Sequence, residues 1–151
     1  MRPVAGVLTD IDDTLTTEGA ITADALGALG RLRSAGIHVI AITGRPAGWS
    51  EPFALQWPVD AIVAENGAVA LVPQAGGKLV KRYQQDEAVR RANHARLQRA
   101  AQRILREVPG AVLARDSAGR ETDIAVDHSE FARLPPSGVA QVVQLDRKSV
   151  V

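Results

Sequence analysis

Val7-Leu8-Thr9-Asp10-Ile11-Asp12-Asp13-Thr14-Leu15-Thr16 is the stretch whose reading decides the fold. Residues Val4 to Thr9 are apolar and partly β-branched, and they run directly into carboxylates at Asp10, Asp12 and Asp13. A short apolar run that ends in an acidic loop reads as a buried strand. Acids placed there lie at the carboxyl end of the strand, where open α/β sheets gather their ligands.

Working outward, Thr22 can cap a helix that carries Leu26, Leu29 and Leu32 on one face and stops at Gly36. Ile37 to Thr43 is a second apolar run, as expected of a strand covered on both faces. Thr43-Gly44-Arg45-Pro46 follows, with proline near the start of the next helix, and Ala61 to Ala64 is a third strand leading into Glu65-Asn66-Gly67-Ala68. Strand, helix, strand, helix, strand predicts a parallel sheet with right-handed crossovers.

Beyond Ala68 the pattern changes. Ala68 to Val72 and Lys78 to Arg82 read as a hairpin, and Asp86 to Val108 as a long helix with Val89, Leu97, Ala100, Ala101, Ile104 and Leu105 towards one side. Two short strands are expected at Ala111 to Arg115 and Glu121 to Asp127, then a last helix from Pro136 to Leu145.

The chemistry starts from Asp10 and Asp12. Phosphoryl transfer needs a nucleophile, a charge-neutralising metal and a proton donor for the leaving oxygen. Two carboxylates one residue apart at a strand end can supply the first and the last, and magnesium suits such oxygen donors. A surface turn is the competing reading of Asp-x-Asp. A calcium loop counted from Asp10 fails, because its sixth position is Leu15 where glycine is needed and its twelfth is Ile21 where glutamate is needed. Thr43-Gly44-Arg45 ends another buried strand on the same sheet edge. Its hydroxyl and its glycine backbone suit a phosphate oxygen, although the tripeptide alone is a weak motif.

Asp10-Ile11-Asp12-Asp13-Thr14-Leu15-Thr16 resembles the first motif of the haloacid dehalogenase superfamily, and Thr43-Gly44-Arg45 resembles its second. Glu65 to Ala68 and Thr122-Asp123-Ile124-Ala125-Val126-Asp127 resemble the Cof-like, sugar-phosphatase-like branch, subfamily IIB. The resemblance implies a partial Rossmann-like parallel sheet, α/β in class, over residues 1–81, and the first part of an inserted α+β cap over 82–145. It implies a magnesium-dependent phosphomonoester hydrolase working through an aspartyl-phosphate on a small phosphorylated metabolite such as a sugar phosphate. In that scheme Asp10 is the nucleophile and Asp12 the general acid and base. Thr43, Gly44 and Arg45 bind phosphate. The metal takes a carboxylate oxygen from Asp10 and the main-chain carbonyl of Asp12.

The family pattern also includes a later lysine and a Gly-Asp-x-x-Asn-Asp cluster on core strands after the cap, and neither is present. Lys78, Lys81 and Lys148 do not follow core strands. The chain is therefore expected to be a C-terminally truncated piece with an open sheet edge, and a catalytically inactive fragment is the alternative reading. Asp146-Arg147-Lys148-Ser149-Val150-Val151 interrupts the last helix pattern. It can be encoded by a string that resembles a common sequencing-library adapter, so residues 146–151 are expected to be a non-native tail.

Composition bounds the remaining possibilities. The 151 residues are 46% hydrophobic but only 3% aromatic, so the core must be built from Ala, Val, Leu and Ile. No cysteine is present, which excludes disulfides, zinc-thiolate sites and thiol nucleophiles. The net charge of +1 points to neither a nucleic-acid nor a membrane partner, and the chain reads as cytoplasmic. From Arg82 to Glu107 seven arginines face three acids. A solvated helix face explains them. Nucleic-acid binding is the weaker alternative, since stacking aromatics are absent there. His38, His94 and His128 are scattered without metal-ligand spacing. Oligomeric state is not legible.

Overall fold

The computed structural model describes residues 4–150, with side chains through Arg147. Residues up to Gln84 form one compact unit and those from Gln85 a second.

The first unit is built on a five-stranded sheet. Its strands are β1 (Gly6–Asp10), β4 (His38–Ile42), β5 (Ala61–Ala64), β6 (Val69–Gln74) and β7 (Lys78–Tyr83), adjacent in that order. β1, β4 and β5 run parallel, with Asp10 opposite Ile42 and Ile42 opposite Val63. β6 and β7 add an antiparallel hairpin. Between β1 and β4 lie a small ribbon of β2 (Thr16–Thr17) and β3 (Ala20–Ile21), then helix α1 (Ala23–Ser34). Thr22 caps α1 as expected: its Oγ1 accepts the Ala25 N–H at 3.3 Å. Gly36 follows the helix with φ 74°, where a side chain would be strained. α2 (Ala47–Gln56) joins β4 to β5.

The low aromatic content dictates an aliphatic core. Ile11, Leu29, Val39, Ala41, Ile62, Ala64, Val69 and Leu71 are buried together, with Ala54 from α2 and Trp57 just after it. Trp49, Phe53 and Trp57 stack along α2 with ring centroids 4.6 and 4.8 Å apart.

One expectation about β1 needs correction. It is not buried along its length: Leu8 is 67% exposed and alternate residues face out. Among the described residues β1 is the end strand of its sheet, hydrogen-bonded to β4 alone. With no neighbour on its outer side, an apolar run stays partly uncovered.

The second unit is led by α3 (Glu87–Glu107). Asp86 caps it by accepting the Val89 N–H at 2.9 Å. Ala100, Ala101 and Ile104 are buried, whereas Val89 and Leu105 of the expected apolar face are 42% and 41% exposed. Ile104 and Val108 pack with Ala111, Leu134 and Leu145. The two strands expected after α3 shrink to two-residue pieces, β8 (Val112–Leu113) and β9 (Val126–Asp127), paired antiparallel. Ion pairs take over where the ladder stops: Arg120 donates to Asp116 at 3.3 Å and to Asp123 at 2.8 Å. Burial alone would lower the Arg120 pKa, but the bonds to Asp123 and Asp116 outweigh it and leave the group above its ordinary value.

α4 (Pro136–Val150) also differs from expectation, since it continues past Leu145. Asp146-Arg147-Lys148-Ser149 contains neither glycine nor proline, so nothing local stops the helix. Val151 lies outside the described residues.

Candidate active site

Pairing of β1 with β4, and of β4 with β5, brings three loops to one edge of the sheet. Asp10 closes β1, Thr43 follows β4, and Glu65 follows β5. Beyond Asp10 the chain folds tightly round one buried carbonyl. The oxygen of Ile11 accepts the N–H groups of Thr14, Leu15 and Thr16 at 3.3, 3.0 and 3.1 Å, and the Thr16 hydroxyl at 3.1 Å. Ile11 is fully buried, so its side chain anchors the loop while Asp10 and Asp12 turn outward from it. Asp13 takes φ 55°, a left-handed conformation that aspartate tolerates better than most residues. The Thr14 hydroxyl donates to Asp10 Oδ2 at 3.4 Å.

Asp12 is engaged from the neighbouring loop. Arg45 Nε lies 3.2 Å from its Oδ1, and the Thr43 hydroxyl donates to its Oδ2 at 3.4 Å. The same Thr43 oxygen accepts the Arg45 N–H at 3.0 Å. Thr43 is 2% exposed, so its hydroxyl is fixed by these two bonds. The guanidinium of Arg45 also lies 5.6 Å from the ring centre of Trp49, a cation–π contact from the first turn of α2.

The third loop was legible only as a family-like segment. In space, Glu65 is 2% exposed, and its Oε1 accepts the Ala47 N–H, the first of α2, at 3.0 Å. Pro46 occupies the cap position and has no side-chain bond to offer. The sequence signal for this role was the pairing of an uncapped helix start with an acid one strand away. The Arg45–Trp49 contact carried a plainer signal, a spacing of four residues on a helix start.

The five residues singled out from the sequence, Asp10, Asp12, Thr43, Gly44 and Arg45, therefore lie on two adjoining loops. Asp12, Thr43 and Arg45 touch. His38, His94 and His128 do not join them: His38 pairs with Asp60 at 3.5 Å at the opposite end of β4, and the other two lie in the second unit. Lys81 bonds Glu51 of α2 at 2.6 Å. Among the described residues no three acids or histidines gather into a metal-holding group. None of the described helices is long and apolar enough to cross a membrane.

A mixed α/β sheet whose first strand, in its parallel part, ends in paired aspartates defines a class of ligand-binding fold. The chain belongs to the haloacid dehalogenase-like hydrolases, whose family model matches residues 7–130. No curated protein matches it. Among solved structures, a Thermoplasma acidophilum protein superposes with TM-score 0.74 at 13% identity, covering 97% of this chain and 58% of that one. The C-terminal domain of trehalose-6-phosphate phosphatase from C. albicans gives 0.64 at 16% identity, covering 93% and 47%. A phosphatase of the superfamily from Bacteroides thetaiotaomicron gives 0.51 at 23% identity, also covering 93% and 47%. At these identities the likeness is one of fold. The chain spans about half the length of these structures.

Proposed function

We propose that the first unit carries the nucleophile half of a phosphomonoester hydrolase and that the second is the first part of its substrate-covering cap. The observation that carries this reading is the convergence of Asp10 and Asp12 with Thr43 and Arg45 at one sheet edge. The substrate class is a small phosphorylated metabolite, with sugar phosphates favoured by the branch that the motifs resemble.

In this reading a carboxylate oxygen of Asp10 attacks phosphorus, and the bond to the leaving oxygen breaks. Asp12 gives that oxygen a proton. Water then attacks the aspartyl-phosphate, Asp12 takes its proton, and inorganic phosphate leaves. The Thr43 hydroxyl, the Gly44 backbone and the Arg45 guanidinium hold the phosphoryl oxygens. Arg45 rests on Asp12 in the structure, and a phosphate dianion would compete for it.

The donors available to a metal are all oxygen, which fits a hard cation. Two aspartates alone fit magnesium in particular, because it keeps much of its shell as water and phosphate oxygen. Asp10, through its carboxylate, and Asp12, through its carbonyl, would hold the ion. When bound, it would neutralise phosphate charge.

A second reading, a unit that holds phosphate without turning it over, is favoured by the absence of a third acidic ligand among the described residues. Hydrolysis of p-nitrophenyl phosphate by the purified chain with magnesium separates the two. Turnover that disappears in Asp10→Asn supports the hydrolase. Turnover that persists in Asp10→Asn removes Asp10 from the role, and phosphate binding with no turnover selects the second reading.

A further inference from the structure

We infer that Glu65 and Asn66 are positioning residues that hold the Thr43–Arg45 loop in its phosphate-receiving shape. The inference rests on the proposed role of that loop, but its mechanical content is independent of any ligand.

Both backbone N–H groups of the bracket donate to the loop. The Asn66 N–H donates to the Thr43 carbonyl at 3.2 Å, and the Glu65 N–H donates to the Arg45 carbonyl at 3.1 Å. The Thr43 N–H donates to the Val63 carbonyl at 2.9 Å, which closes the loop against the end of β5. The buried Glu65 carboxylate accepts the Ala47 N–H and places an anion at the start of α2, where the helix dipole favours one. Asn66 Oδ1 stands so close to Gly44 that a Cβ built there would lie 2.9 Å from it. A side chain at 44 would push the Asn66 amide out of its present position.

The backbone of the bracket is itself strained. Glu65 has φ 50° and Asn66 φ 56°, both left-handed and neither glycine. Two successive non-glycine residues in that region persist only where the surroundings over-determine them, and such strain collects at functional sites. Here the strain turns the chain so that two N–H groups and a carboxylate all reach the neighbouring loop. The outcome bears on Thr43, whose hydroxyl accepts the Arg45 N–H, and hence on the direction of both groups toward Asp12.

Amide hydrogen exchange of the whole 151-residue chain tests this without substrate. The Arg45 N–H reports the Thr43 hydroxyl, and the Ile40 and Ala41 N–H groups, in the middle of β4, report the β-sheet. In Glu65→Ala the Arg45 amide should exchange about tenfold faster, the equivalent of one lost hydrogen bond to a charged group, while Ile40 and Ala41 stay unchanged. Glu65→Gln, which keeps an acceptor oxygen, should return most of the protection. Asn66→Ala should loosen Arg45 in the same selective way. Unchanged Arg45 exchange in Glu65→Ala would overturn the inference. So would equal acceleration at all three amides, because the residue would then be merely structural. A parallel titration with inorganic phosphate, read at the Gly44 amide, separates the two ideas. No phosphate response in the wild type removes the phosphate-site reading, while selective exchange at Arg45 still upholds the bracket.

Discussion

Arg45 grips Asp12 through Nε, 3.2 Å from Oδ1 and 3.4 Å from Oδ2, so the loop after β4 is tied by charge to the loop after β1. Both side chains remain more than one-third exposed, so the pair contributes little to stability, and under the proposed function Arg45 matters for binding. On the proposed function Arg45→Ala would remove a charge-assisted bond to phosphate of about 1.5 to 3 kcal/mol, so affinity for inorganic phosphate should fall at least about tenfold. Arg45→Lys should recover only part, because an ammonium lacks the guanidinium fork. Calorimetric titration measures both, and wild-type affinity in Arg45→Ala would exclude the role.

Asp10 is exposed and makes one long bond, to the Thr14 hydroxyl, which asparagine can keep. Asp10→Asn should therefore abolish any phosphatase turnover while shifting Tm by no more than about 2 °C, the range of an exposed substitution. Loss of folding in this variant would assign Asp10 a structural role instead.

Thr43 behaves oppositely, because it is buried and its oxygen serves the Arg45 N–H. Thr43→Val leaves that donor without its acceptor and should cost about 1 to 3 kcal/mol in urea unfolding. Thr43→Ser should cost much less.

In the second unit Asp127 receives four backbone donors, from Ser129, Glu130, Phe131 and Ala132, at 2.9 to 3.0 Å. Those bonds, that from Ala132 foremost, pull its pKa from 3.8 to about 2. A depressed carboxylate stabilises the fold above its unfolded value and ceases to do so as pH drops through its folded value. The turn at 128–132 should hold above pH 4 and loosen between about 4 and about 2. Amide signals of residues 129–132 in an acid titration should show this. In Asp127→Asn, whose amide nitrogen cannot accept, they should be perturbed already at neutral pH.

Much of this fold was legible because its signals are local. Thr22 and Asp86 announced their helices, and apolar runs announced β4 and β5. The meeting of the candidate site's loops was legible for the same reason, since the ends of parallel strands share one edge. What the residues could not show was context. Leu8 is as apolar as a core residue, yet it is exposed because β1 lies at the sheet's end. Glu121 to Asp127 reads as a strand, yet Arg120 draws Asp116 and Asp123 to itself and leaves only two residues paired on each side. Nor does local pattern reveal that Glu65, an ordinary surface residue by type, is buried beneath a helix start.

The closeness of Gly44 to Asn66 Oδ1 also has a genealogical meaning. The two positions constrain each other's side chains. A lineage that acquires a side chain at 44 must also turn aside or shorten the one at 66. Among descendants of this sequence, the two positions should therefore diverge together or stay as they are.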